Sequence, residues 1–262
     1  MQSWLSKYKW GDVPIEISIV FVGIVLFTVL AGLLCYIEII PTDIPLFFFV
    51  LGGWVISLAL HEFGHAFVAY VAGDWGVVSK GYLTLNPIKY TQSMLSIVLP
   101  VLILLMGGIG LPGGAVYVNK DSIWDRRMRS LVSAAGPIAT AAFAVVLLIP
   151  FSFGIASSDF LSHRAFWSGM ALLAFLQISA LFLNLIPIPP LDGYGILEPF
   201  LPANIIYEAR RFGSIGFFLV LILLLYTPIG DYFWSLVSWT GSILGLDFVL
   251  VFEGFRSFQF WR

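Results

Sequence analysis

The sequence predicts an all-α polytopic membrane protein of about six transmembrane helices, with a re-entrant or surface segment and short β-strand elements. Two observations carry that prediction. The chain of 262 residues is 60% hydrophobic and only 11% charged, whereas a soluble globular chain carries roughly 25% charged residues. Its apolar residues also gather into runs of about 20, the length that a helix needs to cross a bilayer. A net charge of −2 argues against a nucleic-acid partner. The lone Cys35 lies in an apolar run and offers neither a disulfide frame nor a cysteine-based metal site.

The elements follow in chain order. Residues 1–14 hold Lys7 and Lys9 ahead of a long apolar segment. A cleaved signal peptide needs a shorter apolar core and a small-residue cleavage site, so 15–40 reads as a retained span. Trp4, Tyr8 and Trp10 beside it fit an interfacial belt. Further spans are expected at 45–72, 129–153, 165–188, 212–229 and 231–252, the last weakened by Asp247 and several serines. The loop Pro41-Thr42-Asp43-Ile44 is short, which makes the first two spans a tight helical hairpin. Glu16, Glu38 and Asp43 sit at span ends, and Glu198 and Glu208 read as solvated or interfacial.

Between 73 and 129 the character changes. Gly81-Tyr82-Leu83-Thr84-Leu85-Asn86-Pro87 alternates as a strand does and stops at a turn pair. The glycine-rich run 107–114 cannot be a regular helix, and 115–118 reads as another short strand. Segment 94–110 is short for a span and is broken by Pro100 and glycines. If it does not cross and the N-terminus is cytoplasmic, every Lys and Arg except Arg164 falls on the cytoplasmic side; if it crosses, that bias weakens. We therefore read it as re-entrant or surface-lying.

The chemistry concentrates in His61-Glu62-Phe63-Gly64-His65, inside an apolar stretch. Positions four apart on a helix share a face, so His61 and His65 can reach one metal ion, with Glu62 beside them as a base. Ionisable residues cost about 2.5–3.5 kcal/mol each at the centre of a membrane helix, which argues for function. The motif holds two of only 3 histidines. A catalytic zinc takes three protein ligands and keeps a position open for water, so a third ligand must come from elsewhere. His163 lies in the expected outer loop beside Arg164, where an exposed or interfacial histidine is the plainer reading. Asp192 follows span 165–188, after Pro187, Pro189 and Pro190. It can close a metal site or simply end a turn before Gly193. If it does close the site, its span must end on the same side as the His61 span. That needs an even number of crossings between them, which holds only if 94–110 does not cross.

Together, His61-Glu62-Phe63-Gly64-His65 and Asn184…Pro187…Pro189-Pro190-Leu191-Asp192-Gly193 resemble the site-2 protease family of intramembrane zinc metalloproteases. Ala135-Gly136-Pro137 is similar to the A-G-P element of that family, and residues 81–87 and Gly113-Gly114-Ala115-Val116 fall within the same resemblance. Thr140 stands where that element is often followed by Asn. The resemblance covers roughly residues 45–200, a metalloprotease core between an N-terminal span and hairpin (1–44) and C-terminal spans (201–262). It implies that His61, His65 and Asp192 bind Zn²⁺ and that Glu62 is the general base. It also implies that Asn184 stabilises the oxyanion, although interhelical hydrogen bonding would equally explain an Asn there. The implied activity is endopeptidase cleavage of transmembrane segments of membrane proteins near the cytoplasmic face, in the cell membrane of a prokaryote. The lipid bilayer is then the working environment. Substrate selection would rest on prior trimming, on a partner or on the membrane helices themselves, and 81–87 or 115–118 could hold an unwound substrate by strand addition. The rival readings are a transporter or ion-binding protein with the same His/Glu/Asp cluster, and a catalytically silent relative.

Overall fold

The computed structural model describes residues 10–11, 13–90, 116–159, 162–211 and 213–261. The re-entrant reading of 94–110, the glycine run 107–114 and the basic residues before residue 10 lie outside the described residues.

Ser18 opens the first helix, α1 (Ile19–Ile37), its hydroxyl accepting the Phe21 N–H at 3.1 Å. Only Thr28, Ala31, Gly32 and Cys35 of α1 are buried, a seam of small side chains of the kind that lets membrane helices approach closely. They face α2 (Asp43–Ala72), and the expected tight hairpin forms. At 30 residues α2 is roughly 45 Å long. It stops at Gly73, whose φ of 114° only glycine adopts easily and whose N–H caps the Ala69 and Tyr70 carbonyls.

A single turn, α3 (Gly76–Ser79), and a 3₁₀ turn at Pro87–Tyr90 follow. No strand forms among the described residues, which corrects both strand expectations. In 81–87 the alternation is broken because Gly81 (φ 72°) and Leu85 (φ 53°) both take left-handed backbone. The carbonyls of Leu83 and Thr84 are instead taken by the N–H groups of Glu16 and Ser18. In the second stretch, residues 116–119 spend their main-chain groups on side chains. The Val116 N–H goes to Glu62, the Tyr117 carbonyl to Lys80 and the Asn119 N–H to Asp74. Neither stretch keeps these groups free for an added strand.

Asp125 caps α4 (Arg126–Ser152) by accepting the Arg127 N–H at 2.8 Å. After the short α5 (Ile155–Asp159), α6 (Arg164–Asn184) runs through the middle of the bundle with most of its surface buried. Helices α2, α4 and α6 pack on one another. The chain then reverses into α7 (Asp192–Leu197) and continues to α8 (Ala203–Arg211), α9 (Gly213–Tyr226), α10 (Pro228–Ile243) and α11 (Phe248–Phe258).

Among the described residues, four helices (α1, α2, α4 and α6) are long and apolar enough to cross a membrane. The expectation of two further full spans, 212–229 and 231–252, is not met. Phe218–Tyr226 and Pro228–Ile243 meet at an angle of 85° and make at most one broken span. The cause is local: Thr227 is extended, caps the Ile229 N–H with its own hydroxyl and is followed by a proline at the new helix start. Helix α11 packs along α6 and α2, with Glu253 paired to Arg164 and Phe258 stacked on Phe47. Arg256 therefore lies at the Arg164 end of the bundle, rather than with the basic residues around Arg126. Glu198, expected to be solvated, is buried and paired with Lys120, because its 3₁₀ turn packs on α4. Glu208 is exposed beside Arg211, as expected.

Candidate metal centre

His61 and His65 lie one turn apart on α2, and their Nε2 atoms are 3.1 Å from each other. Asp192, the first residue of α7, brings Oδ2 to 3.1 Å from His61 Nε2 and Oδ1 to 3.3 Å from His65 Nε2. The three expected ligands thus converge from two distant parts of the chain into one group able to hold a metal ion. His163 does not join them: its ring stacks on Tyr36 at 3.5 Å and its Nδ1 lies 2.6 Å from the Tyr36 carbonyl.

Several observations test whether zinc fits. Tetrahedral zinc with Zn–N bonds of about 2.0–2.1 Å sets its ligand atoms roughly 3.3 Å apart, close to the observed spacing. His65 Nδ1 lies 2.7 Å from the Val132 carbonyl, which can only accept, so Nδ1 carries the proton and Nε2 can present its lone pair. His61 Nδ1 is likewise held, 2.9 Å from Thr140 Oγ1. Partners of this kind fix the orientation of metal-binding imidazoles. Gly136 then keeps the space clear: a Cβ there would fall 2.2 Å from His65 Nε2 and 2.6 Å from His61 Nε2. The residues fit the ion. Burial pushes the Asp192 carboxyl up, but the His65 and His61 imidazoles outweigh it and hold the group well below the usual carboxylate range.

The local sequence explains how these parts meet. Val132, Gly136 and Thr140 are spaced by four and so share one face of α4. That face reaches the histidines because Gly64 lets the two backbones come close: a Cβ at Gly64 would lie 2.7 Å from the Ala135 carbonyl. After α6, three prolines and a tight reversal bring α7 back. A Cβ at Gly193 would meet the Leu185 carbonyl at 2.1 Å, so the residue after Asp192 must be small. Helix α7 is seated on α4 by the Ser130 hydroxyl, which donates to the Ile196 carbonyl at 2.8 Å.

Glu62 is buried and accepts the Val116 N–H at 2.9 Å. The stretch carrying Val116 is tied down by the Asn119 N–H to Asp74 at 2.7 Å and by Lys120 to Glu198. Asn184, the last residue of α6, is buried and lines a cavity together with His61 and Thr140. Sequence reasoning missed Val132 and left Thr140 and Gly136 without a task. The four-residue spacing of 132, 136 and 140, matching that of 61 and 65, is the signal that could have found them.

Comparison with known proteins agrees with this geometry. Two mycobacterial proteins named "Putative zinc metalloprotease Rip2" match nearly the whole chain. The one from Mycolicibacterium smegmatis is 44% identical over 249 residues, covering 93% of this chain and 94% of its own length. The one from Mycobacterium tuberculosis is 40% identical over 255 residues, with the same 93% and 94% coverage. YwhC of Bacillus subtilis, with the same zinc metalloprotease designation, is 32% identical over 206 residues, covering 75% of this chain and 86% of its own. No protein-family model and no solved structure matches the chain. With the ligand group in place and relatives of this kind along its length, the chain belongs to the site-2 protease family of zinc metalloproteases.

Proposed function

We propose that the protein is an intramembrane endopeptidase that hydrolyses peptide bonds in the transmembrane segments of other membrane proteins. The observation that carries this reading is the burial of His61, Glu62 and His65 on a helix long and apolar enough to span a bilayer, with the half-buried Asp192 brought against them. His61 lies eleven residues before the end of α2, roughly 16 Å along its axis, which suits cleavage inside the membrane but near one face.

In this reading His61, His65 and Asp192 hold the zinc, which when bound supplies Lewis acidity and makes a nucleophilic water available at neutral pH. Thr140 and the Val132 carbonyl keep both imidazole rings aimed. Glu62 takes the proton from the attacking water and later returns it to the leaving amine; the Val116 N–H holds its carboxylate in place meanwhile. Asn184 donates from its amide to the oxyanion of the tetrahedral intermediate. The metalloprotease core is residues 45–200.

Orientation follows from charge. Lys80, Lys89, Lys120, Arg126, Arg127 and Arg129 gather where α2 ends and α4 begins. The segment ahead of α1 is bonded to the 83–84 turn at that same end. The positive-inside rule makes it cytoplasmic, in the cell membrane of a bacterium. Reporter fusions within 111–128 should then report the cytoplasm.

The decisive experiment uses purified protein in detergent, with bound zinc and cleavage of a single-span substrate as readouts. Glu62→Gln should keep its zinc and lose about 10²–10⁴-fold in cleavage. Unchanged cleavage in that variant would sink the role of Glu62. Cleavage that survives removal of zinc by a chelator would sink the reading as a whole.

A further inference from the structure

Beside His61 lies a polar cavity whose Trp54, Ser57 and Gln177 have no part in the proposed hydrolysis. It has a volume of about 10 Å³ and is lined by Trp54, Ser57, His61, Thr140, Gln177 and Asn184. These residues come from α2, α4 and α6, and Ser57 stands halfway along α2. Trp54 is 1% exposed and Gln177 is 0% exposed. The Ser57 hydroxyl donates to the Gln177 side-chain oxygen. That leaves two buried N–H donors on residues that line the cavity, Trp54 Nε1 and Gln177 Nε2, with no hydrogen-bond partner among the described residues. Turning the Gln177 amide over would only exchange an unpaired nitrogen for an unpaired oxygen. Buried polar groups in native proteins are almost always paired, with protein or with ordered water, and nowhere more so than inside a membrane.

The size of the cavity decides what can pair them. A space of roughly 10–15 Å³ on this measure holds one water molecule and nothing larger, provided two to four polar partners surround it. A water has two lone pairs and two protons. Trp54 Nε1 and Gln177 Nε2 offer donors for the former, and Thr140 Oγ1 and the Asn184 amide oxygen offer acceptors for the latter. We propose that this cavity is a binding site for a single buried water, which joins the Ser57–Gln177 pair to the Thr140–His61 pair across α2, α4 and α6. The site borders the metal group through His61 but does not depend on the assignment of substrate or of Glu62. It makes Gln177 and Trp54 positioning residues, acting on His61 through Thr140.

The test reads the water directly. With tryptophan side chains labelled with ¹⁵N and the protein in deuterated detergent, the Trp54 indole N–H, assigned by its loss in Trp54→Phe, should show magnetisation transfer from a long-lived water. Gln177→Leu, which removes one donor and fills the space, should abolish that transfer. Trp124, 91% exposed, should be unaffected and serves as the control. Absence of the water contact at Trp54 in the native protein overturns the proposal. So does a contact that persists unchanged in Gln177→Leu, and so does transfer from detergent chains in place of water. If Gln177→Leu does not fold, Gln177→Met, close in length and without a polar amide, replaces it with the same expected loss.

Discussion

Helix α2 meets its two neighbours at glycines, Gly52 of its own toward α1 and Gly136 of α4, and the two contacts use the missing Cβ in opposite ways. Toward α1, a Cβ at Gly52 would fall 2.1 Å from Thr28 Oγ1. The space is already filled by a side chain, and the gain is close packing of two membrane helices. Toward α4, Gly136 leaves space beside the two imidazole nitrogens, where a Cβ would intrude to 2.2 Å. The first contact holds the bundle together; the second keeps lone pairs accessible. The lesson is that a small residue takes its meaning from the atoms it stands against.

The sharpest way to break this comparison is Gly136→Ala. It should strip the protein of zinc and of proteolysis together while α2 and α4 remain helical, measured by metal content and circular dichroism. Normal zinc content in that variant would show that the imidazoles can move aside, and the distinction between the faces would fail. Next comes Thr140→Val, which keeps the shape but removes the oxygen facing His61 Nδ1. A 10–100-fold loss of metal affinity is expected for lost partners of this kind, read by competition with a chelator. The smallest effect belongs to the α1 face. Gly52→Ala should cost about 1–3 kcal/mol of stability by overpacking with zinc content unchanged, and a second change, Thr28→Ala, should restore most of the loss because the two sites touch. If Gly52→Ala released zinc as readily as Gly136→Ala, the two faces would not be functionally distinct.

How much could be read from the sequence depends on where the signal lies. The pairing of His61 with His65 was legible because ligand types at helical spacing in an apolar run are rare. Asp192 stayed open between a ligand and a turn residue on its own stretch, and the resemblance carried by Leu191-Asp192-Gly193 singled it out. The right-angle turn at Thr227 escaped, since hydropathy measures apolar length and is blind to direction, although a Thr-Pro pair inside the run was visible. The strand expectation at 81–87 failed because left-handed Leu85 has no signature in side-chain alternation. Val132 escaped for another reason: it contributes a main-chain carbonyl, so only its four-residue spacing from Gly136 and Thr140, and not its side chain, could have pointed to it.

The first half of α4 has a consequence for tolerance to substitution. It supplies the carbonyl behind His65, the clearance at Gly136, the hydroxyl behind His61 and the seat on which the Asp192-bearing helix rests. None of these positions carries metal chemistry. They act as a jig, setting the relative positions of parts made elsewhere in the chain. In a saturation library scored for proteolysis, the inward positions of this half-helix should be nearly as unforgiving as the proposed ligands themselves, whereas its outward-facing Ile138 should accept most apolar replacements.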